Sequence, residues 1–248
     1  FSCLYGTTLN TGRVMSPTLA MAVEREAAIA AFQPEAFYQV QLCFDGFSVS
    51  GERMKNREEA ENLAASCRRE GSASIGKIVQ TEKTEKPPAL YDLTTLQREA
   101  NRVLGYTAQQ TLDYVQALYE KKLVTYPRTD SRFLTEDMAE MLPELAAVTA
   151  AACFPEAGTV SANAGQVINS KKVTDHHAII PTKEVQNGTL SELPKGELEI
   201  LRLIAKRLLS AVSAPCRYAE TTAEIFCGGT AFKAKGKTVL SAGWKGME

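Results

Sequence analysis

Strand-like sequence lies toward both ends of this chain, and helical sequence lies between. Apolar and polar residues alternate from Tyr38 to Phe44, and Asp45-Gly46 is typical of a tight hairpin turn before Phe47 to Ser50. Alternation returns from Arg217 to Phe226 and from Thr230 to Leu240. Because both flanks contribute strands, we expect an α+β fold in which a mainly helical domain is inserted into a small β-rich domain.

Capping residues and apolar periodicity mark the helices of this expected fold. The strongest apolar stripe runs through Leu198, Leu201, Ile204, Leu208 and Val212. Near the N-terminus, Ser16 as N-cap and Pro17 at the first position predict a helix that ends at Phe32. Asn56 and Glu59 resemble a capping box, and Gly71 ends the helix that they open.

The middle of the chain predicts two closely spaced helices, like a helix-turn-helix. Thr94 with Gln97 opens the first, which closes at Gly105, and Thr107 with Gln110 opens the second. A shorter helix is predicted from residue 135 to 142, ending before Pro143.

A charged run from Thr81 to Lys86, followed by Pro87-Pro88, predicts a stiff polar connection between domains. We therefore expect a helical segment at residues 1–36, a discontinuous β-rich domain at 37–86 and 213–248, and a helical domain at 87–212. Phe1 is not an initiator methionine and no signal peptide precedes the first helix, so we expect an excised segment of a longer chain.

Composition sets limits on function without choosing one. The formal net charge is -1, so any contact with nucleic acid must come from locally grouped Arg and Lys. No apolar run approaches the roughly 18 residues of a membrane span, and a soluble protein is expected. The six cysteines are scattered with no zinc-like spacing, which favours free thiols in a reducing cytoplasm.

The segment from Lys121 to Arg132 carries the strongest chemical signal. Pro127 favours extended geometry at Tyr126, so that Tyr126 and Arg128 project to the same side of the chain. A tyrosine phenol ordinarily has a pKa of about 10 and attacks poorly unless a cation stabilises the charge that develops. Taken alone, the local pattern favours a half-buried strand tyrosine and an arginine in a surface ion pair.

Three motifs together resemble the type IA DNA topoisomerases, and most closely the topoisomerase III branch. The string V-T-Y-P-R-T-D-S-R, at residues 124–132, is similar to the family's active-site motif. The string V-T-D-H-H-A-I-I-P-T, at 173–182, resembles its histidine motif, about 50 residues after the tyrosine. The string G-R-V-M-S-P, at 12–17, resembles its G-R-V-Q-[ST]-P element, although Met15 replaces the usual glutamine. The motifs stand in family order and cover nearly the whole chain.

The resemblance implies that Tyr126 attacks a backbone phosphate of single-stranded DNA and forms a 5'-phosphotyrosyl link, without ATP. Arg128 is implied to clamp the scissile phosphate, because its forked donors match phosphate oxygens. His176 is implied to bind phosphate or hold a proton, the alternative being a core histidine bonded to a carbonyl. Further DNA contacts are expected from Gly12, Arg13, Thr129, Asp130, Ser131, Arg132 and His177. For the loop and turn residues among them, the alternative is an ordinary structural role without DNA contact.

The family's Mg²⁺ is bound by carboxylates of an N-terminal toprim domain, and this chain contains no Asp-x-Asp. We therefore expect a fragment that partners with the remaining domains of its polypeptide and with DNA, but not with a membrane. Residues 1–36 would belong to the neighbouring helical arch, and the β-rich domain would act as a hinge. A bacterial, cytoplasmic and nucleoid-associated enzyme is implied, nearly inactive in relaxation when reduced to this segment.

Two other functions are alternatives to this one. A plain DNA-binding module would use the two helices between Thr94 and Lys121 as a helix-turn-helix, with Tyr126 contacting backbone only. A tyrosine recombinase would join the opposite DNA end and needs a separate pattern of arginines that the sequence does not show.

Overall fold

The computed structural model describes residues 2–156, 162–187 and 190–247. The chain forms two compact units. The first contains Phe1–Lys77 and Glu224–Ala234, and the second contains Ile78–Ala223 and Lys235–Glu248.

The first unit begins with helices α1 (Ser2–Tyr5) and α2 (Met15–Ala30). The prediction that Ser16 caps α2 is wrong, because Val14 holds the N-cap position. Ser16 lies inside the first turn, where its hydroxyl accepts a hydrogen bond from the Gly12 backbone N–H at 3.2 Å. The hydroxyl therefore reaches back to the loop before the helix instead of bonding forward to the helix backbone.

A short hairpin follows, as predicted. Strands β1 (Gln41–Phe44) and β2 (Phe47–Ser50) are antiparallel, with Phe44 opposite Phe47. The turn residue Gly46 has a φ of 83°, which glycine adopts without strain.

Helix α3 (Arg57–Glu70) begins and ends at the predicted residues. Asn56 accepts a hydrogen bond from the Glu58 backbone N–H, and Gly71 closes the helix in the left-handed conformation. The core of this unit joins the hairpin, α3 and two longer strands through buried side chains: Val40, Leu42, Val49, Ala60, Cys67, Ile225, Cys227 and Phe232.

Three long strands form a sheet in the order β3 (Ser74–Glu85), β4 (Cys216–Cys227) and β5 (Thr230–Ser241). The last two match the predicted strands closely. The predicted polar connection at Thr81–Lys86 is wrong, because β3 runs on to Glu85. Its charges pair with β4, with Lys83 at 2.5 Å from Glu220 and Glu82 at 2.8 Å from Arg217, so opposite charges stabilise strand pairing.

The fold is α+β, as predicted from the sequence. The boundaries of the compact units cut through the three strands, whereas the predicted domain boundaries lie at their ends. The assignment to 1–36, 37–86 with 213–248, and 87–212 stays a prediction.

In the described part of the second unit, the α-helices are α4 (Leu93–Leu104), α5 (Ala108–Glu120), α6 (Leu142–Cys153) and α7 (Lys195–Val212). Thr107 and Gln110 form the predicted capping box at the start of α5. The predicted Thr94 cap is wrong by two residues, because Asp92 caps α4 together with Thr95.

The helix predicted before Pro143 is also wrong. Only one 3-10 turn occurs there, at Glu136–Met138, and α6 begins at Leu142 with Pro143 in its first turn. Proline needs no backbone donor at this position, so here it starts a helix instead of ending one.

Helix α7 carries the core of the second unit. Leu201 and Ile204 pack with residues of α4 and α5, whereas Leu208 and Val212 pack with residues of α6. Complete burial of each such side chain contributes about 1.5–3 kcal/mol. No helix in the described residues is long and apolar enough to cross a membrane.

The six thiols are unpaired and differ in exposure. Burial raises the pKa of Cys67 and of Cys153 to about 11, whereas Cys3 and Cys43 are exposed. Because the thiolate is the reactive form, iodoacetamide at pH 8 should label Cys3 and Cys43 and spare Cys67 and Cys153. Peptide mass mapping checks this, with urea-unfolded protein as the control. Labelling of native Cys153 as fast as Cys3 would contradict the packing of α6.

Candidate active site

The tyrosine and histidine motifs lie side by side in the second unit. The chain leaves α5 through Lys122, whose φ of 62° redirects the backbone. Val124 then pairs antiparallel with Pro181, and the Thr125 N–H donates to the Ile180 carbonyl at 2.9 Å. Two segments about 50 residues apart in sequence are thereby joined edge to edge.

Thr129 and Ser131 strengthen this junction from the interior. Both are buried, at 8% and 4% exposed. The Thr129 hydroxyl donates to the His176 carbonyl at 2.8 Å and accepts from the Ser131 N–H at 3.0 Å. The Ser131 hydroxyl donates to the Lys172 carbonyl at 3.0 Å. These hydroxyls position the histidine loop, and their contact with DNA stays a prediction.

Tyr126 lies between two other rings. Its ring centroid is 4.3 Å from that of His176, with a tilt of 43° between the planes, and 5.5 Å from that of Tyr119, edge to face. Tyr126 is half-buried and His176 is exposed. The phenol therefore belongs to an aromatic cluster beside solvent, not to a sealed apolar interior.

Arg128 contacts the helix that also supports Tyr126. Its guanidinium donates to the side-chain oxygen of Gln116 at 2.8 Å, and the Gln116 amide in turn donates to Glu120 at 3.0 Å. Gln116 and Tyr119 are three residues apart and share one face of α5. Within the described residues Arg128 has no carboxylate partner in an ion pair, so its charge remains available to an anion.

Three further predicted DNA-binding residues make contacts within the chain. The Thr174 hydroxyl donates to Asp130 at 3.1 Å, and the Arg132 guanidinium donates to the Leu90 carbonyl at 3.1 Å. His177 Nδ1 donates to the carbonyl of Ala178 at 2.8 Å, because a carbonyl only accepts. These bonds fix the two loops, and a role in DNA binding stays a prediction for all three residues.

Gly12 and Arg13 lie in the first unit, in the exposed loop that precedes α2. The Gly12 N–H donates to Ser16, and the Arg13 side chain is exposed. Their predicted contact with DNA stays a prediction.

Sequence reasoning missed Gln116 and Tyr119. Both stand in α5, just before the tyrosine motif, and look like ordinary surface positions of an amphipathic helix. The only available signal was their i, i+3 spacing on a helix that leads straight into the motif.

The described residues contain no group of three or more His, Cys, Asp or Glu side chains that could hold a metal ion. His176 and His177, the only histidines of the chain, form no such group with neighbouring carboxylates.

Comparison with known proteins gives consistent matches. A family model described as DNA topoisomerase matches residues 2–248. DNA topoisomerase 3 of Bacillus subtilis strain 168 is 40% identical over 255 residues, covering 96% of this chain and 34% of that protein. DNA topoisomerase 3 of Shouchella clausii is 38% identical over 256 residues, covering 97% of this chain and 35% of that protein. The chain thus spans about a third of the length of these curated relatives.

A solved structure shares the fold. Full-length topoisomerase I from Thermotoga maritima superposes with a TM-score of 0.73 at 25% sequence identity. The match covers 96% of this chain and 40% of that one.

Removal of the Thr129 hydroxyl tests how the two loops are joined. Thr129→Val deprives the His176 carbonyl and the Ser131 N–H of their partner, and should lower the free energy of unfolding by about 1–3 kcal/mol. Thr129→Ser keeps the hydroxyl and is the matched control. Urea unfolding followed by the fluorescence of Trp244, the only tryptophan, measures the difference in the second unit. Equal stability of Thr129→Val and Thr129→Ser would contradict the proposed junction.

Proposed function

The chain belongs to the type IA DNA topoisomerase family, and from this premise we propose that Tyr126 is the nucleophile that cuts and rejoins one DNA strand. One observation carries the proposal. The ring of Tyr126 packs against His176 beside solvent, and Arg128 contacts the same face of α5 as Tyr126 does.

The proposed reaction is a transesterification. The Tyr126 oxygen attacks the phosphorus of a single-stranded DNA backbone, and the bond between phosphorus and the 3'-oxygen of the preceding nucleotide breaks. The phenol proton ends on that 3'-oxygen. One phosphoester replaces another of similar energy, so the hydroxyl can later reverse the step without ATP.

Arg128 is proposed to bind the scissile phosphate. A guanidinium carries a permanent charge and presents paired donors to phosphate oxygens. Its partner Gln116 is neutral, so exchanging this contact for a phosphate breaks a hydrogen bond without breaking an ion pair. Movement of the Arg128 guanidinium from Gln116 to a phosphate therefore costs little free energy.

His176 is proposed to assist at the same phosphate. Its backbone carbonyl is held by Thr129, while its exposed ring lies against the Tyr126 ring. An imidazole at this place can donate a hydrogen bond to a phosphate oxygen or hold a proton near the leaving 3'-oxygen. His177, whose Nδ1 is hydrogen-bonded to the Ala178 carbonyl, is proposed to have a supporting role.

The activity of the whole enzyme is proposed for a longer polypeptide, of which this chain would be the central fragment. The relatives are about three times as long as this chain. The Mg²⁺ implied by the family is proposed to bind in the part of the longer polypeptide outside the match. Strand passage through the break would allow relaxation or decatenation. Gly12 and Arg13, before α2, are proposed to hold single-stranded DNA, and a cytoplasmic site of action with the bacterial nucleoid is proposed.

Covalent capture of DNA tests the proposal. A chimera that carries this chain in place of the matching third of the Bacillus subtilis relative is incubated with single-stranded oligonucleotides labelled at either end. The 3'-end label should become attached to the protein in a detergent-resistant adduct, because the 5'-phosphotyrosyl link retains the downstream fragment. Tyr126→Phe should abolish the adduct.

Tyr119→Phe is the matched control, because it removes the hydroxyl of the neighbouring ring and leaves the packing against Tyr126. The 248-residue chain alone should relax little or no supercoiled plasmid. Attachment of the 5'-end label would indicate a recombinase-like polarity. An adduct that survives Tyr126→Phe, or tight reversible duplex binding with no adduct, would contradict the proposal.

A further inference from the structure

Lys172, the residue directly before the histidine motif, has no part in the function proposed so far. Its side chain is exposed, and its Nζ lies 4.9 Å from the centroid of the Phe133 ring. Among the described residues no carboxylate lies within ion-pair distance of this ammonium group. The charge of Lys172 is therefore available to an anion from solution.

The backbone of Lys172 is fixed beside the proposed reaction site. The Ser131 hydroxyl donates to the Lys172 carbonyl at 3.0 Å, just as the Thr129 hydroxyl donates to the His176 carbonyl at 2.8 Å. The four residues from Lys172 to His176 span at most about 14 Å even when fully extended. One short DNA strand can therefore contact both His176 and Lys172.

Phe133 restrains the side chain of Lys172. The ring is half-buried and belongs to none of the core clusters of the described residues. Its own backbone is fixed, because the Ala178 N–H donates to the Phe133 carbonyl at 3.0 Å. A cation over an aromatic face is attracted to it, which reduces the rotamer freedom that a long lysine side chain must lose on binding.

The segments that carry the two motifs have an excess of positive charge. Residues 124–134 and 170–182 contain the cations Arg128, Arg132, Lys171 and Lys172 and the acids Asp130 and Asp175. The whole chain has a formal net charge of -1, so this excess is local. Local grouping of cations is what attraction of a phosphate backbone requires.

We propose that Lys172 binds a backbone phosphate of single-stranded DNA other than the scissile one, with Phe133 positioning its ammonium group. The inference rests on the proposed function, because it takes the same strand as the ligand. A cation that follows the backbone and an aromatic ring beside it are a common combination in proteins that bind single strands. Lys172 remains exposed, so the contact avoids the desolvation cost of a buried ion pair.

Salt dependence of DNA binding tests the role of Lys172. The 248-residue chain carrying Tyr126→Phe, which cannot form the adduct, is titrated into a fluorescein-labelled single-stranded oligonucleotide while anisotropy is followed. Lys172→Ala should weaken binding about five-fold, as expected for loss of an exposed ion pair. The slope of log K against log salt should become shallower by about 0.7, the value for one phosphate contact on a single strand.

Lys171→Ala is the matched control, because Lys171 is an exposed lysine of the same short 3-10 turn. It should leave the slope unchanged, and Lys172→Arg should retain it because the charge is kept. Circular dichroism verifies the fold of each variant. No saturable binding, or equal affinities and slopes of Lys172→Ala and Lys171→Ala, would overturn the proposal.

Uncharged methylphosphonates identify the phosphate that Lys172 contacts. Each phosphate of the oligonucleotide is replaced in turn, and one replacement should weaken binding of the parent about five-fold without affecting Lys172→Ala. Arg128→Ala should be insensitive at a different position. The same position for both variants would contradict a separate phosphate.

Phe133→Leu tests the positioning of the lysine, because it removes the aromatic face and keeps an apolar side chain. It should weaken DNA binding of the parent about two-fold and leave Lys172→Ala unchanged. Equal losses in both backgrounds would contradict positioning through Phe133. If these binding results hold but the chimera forms no adduct, the proposed chemistry of Tyr126 is wrong and the assignment of Lys172 stands.

Discussion

The candidate site depends on hydrogen bonds between two segments that are distant in sequence. Thr125 pairs with Ile180, and the buried Thr129 hydroxyl bonds at once to the His176 carbonyl and to the Ser131 N–H. Leaving a buried polar group without a hydrogen-bond partner costs about 1–3 kcal/mol, so separation of the two segments is unfavourable in free energy. The contact between Tyr126 and His176 follows from this junction and not from any feature of the tyrosine motif alone.

Helix α5 provides the other half of the site. Its capping box fixes where the helix starts, and its buried stripe packs in the same core cluster as α7, which fixes its rotation. The face beside the buried stripe then presents Gln116 to Arg128 and Tyr119 to Tyr126. A rigid helix thus sets the positions of the proposed nucleophile, Tyr126, and of the Arg128 cation, which both stand on an irregular loop. Fixed positions of this kind are a precondition for the electrostatic catalysis proposed here.

Local chemistry could be predicted from the sequence, and its tertiary consequences could not. The Asp45-Gly46 turn, the caps at Asn56 and Thr107 and the stripe of α7 each depend on neighbouring residues. The predictions were wrong where the same local sequence is compatible with more than one structure. Pro143 is compatible with the start of a helix as well as with its end, and the charges of β3 are compatible with a linker until β4 supplies opposite charges.

The candidate site was likewise predicted only in part. Tyr126, Arg128 and His176 were identified by resemblance, since nothing in their local pattern requires them to meet. The support from α5 was not identified, because it arises only when the loop folds back on the helix that precedes it.

The most direct test is a crystal structure of the chimera carrying Tyr126→Phe, solved with a single-stranded oligonucleotide. The account predicts one backbone phosphate beside the edge of the substituted ring, with the Arg128 guanidinium moved from Gln116 to that phosphate. The His176 ring should still pack against the ring at this position. Phosphates that avoid this cluster, with Arg128 still bonded to Gln116, would contradict the account.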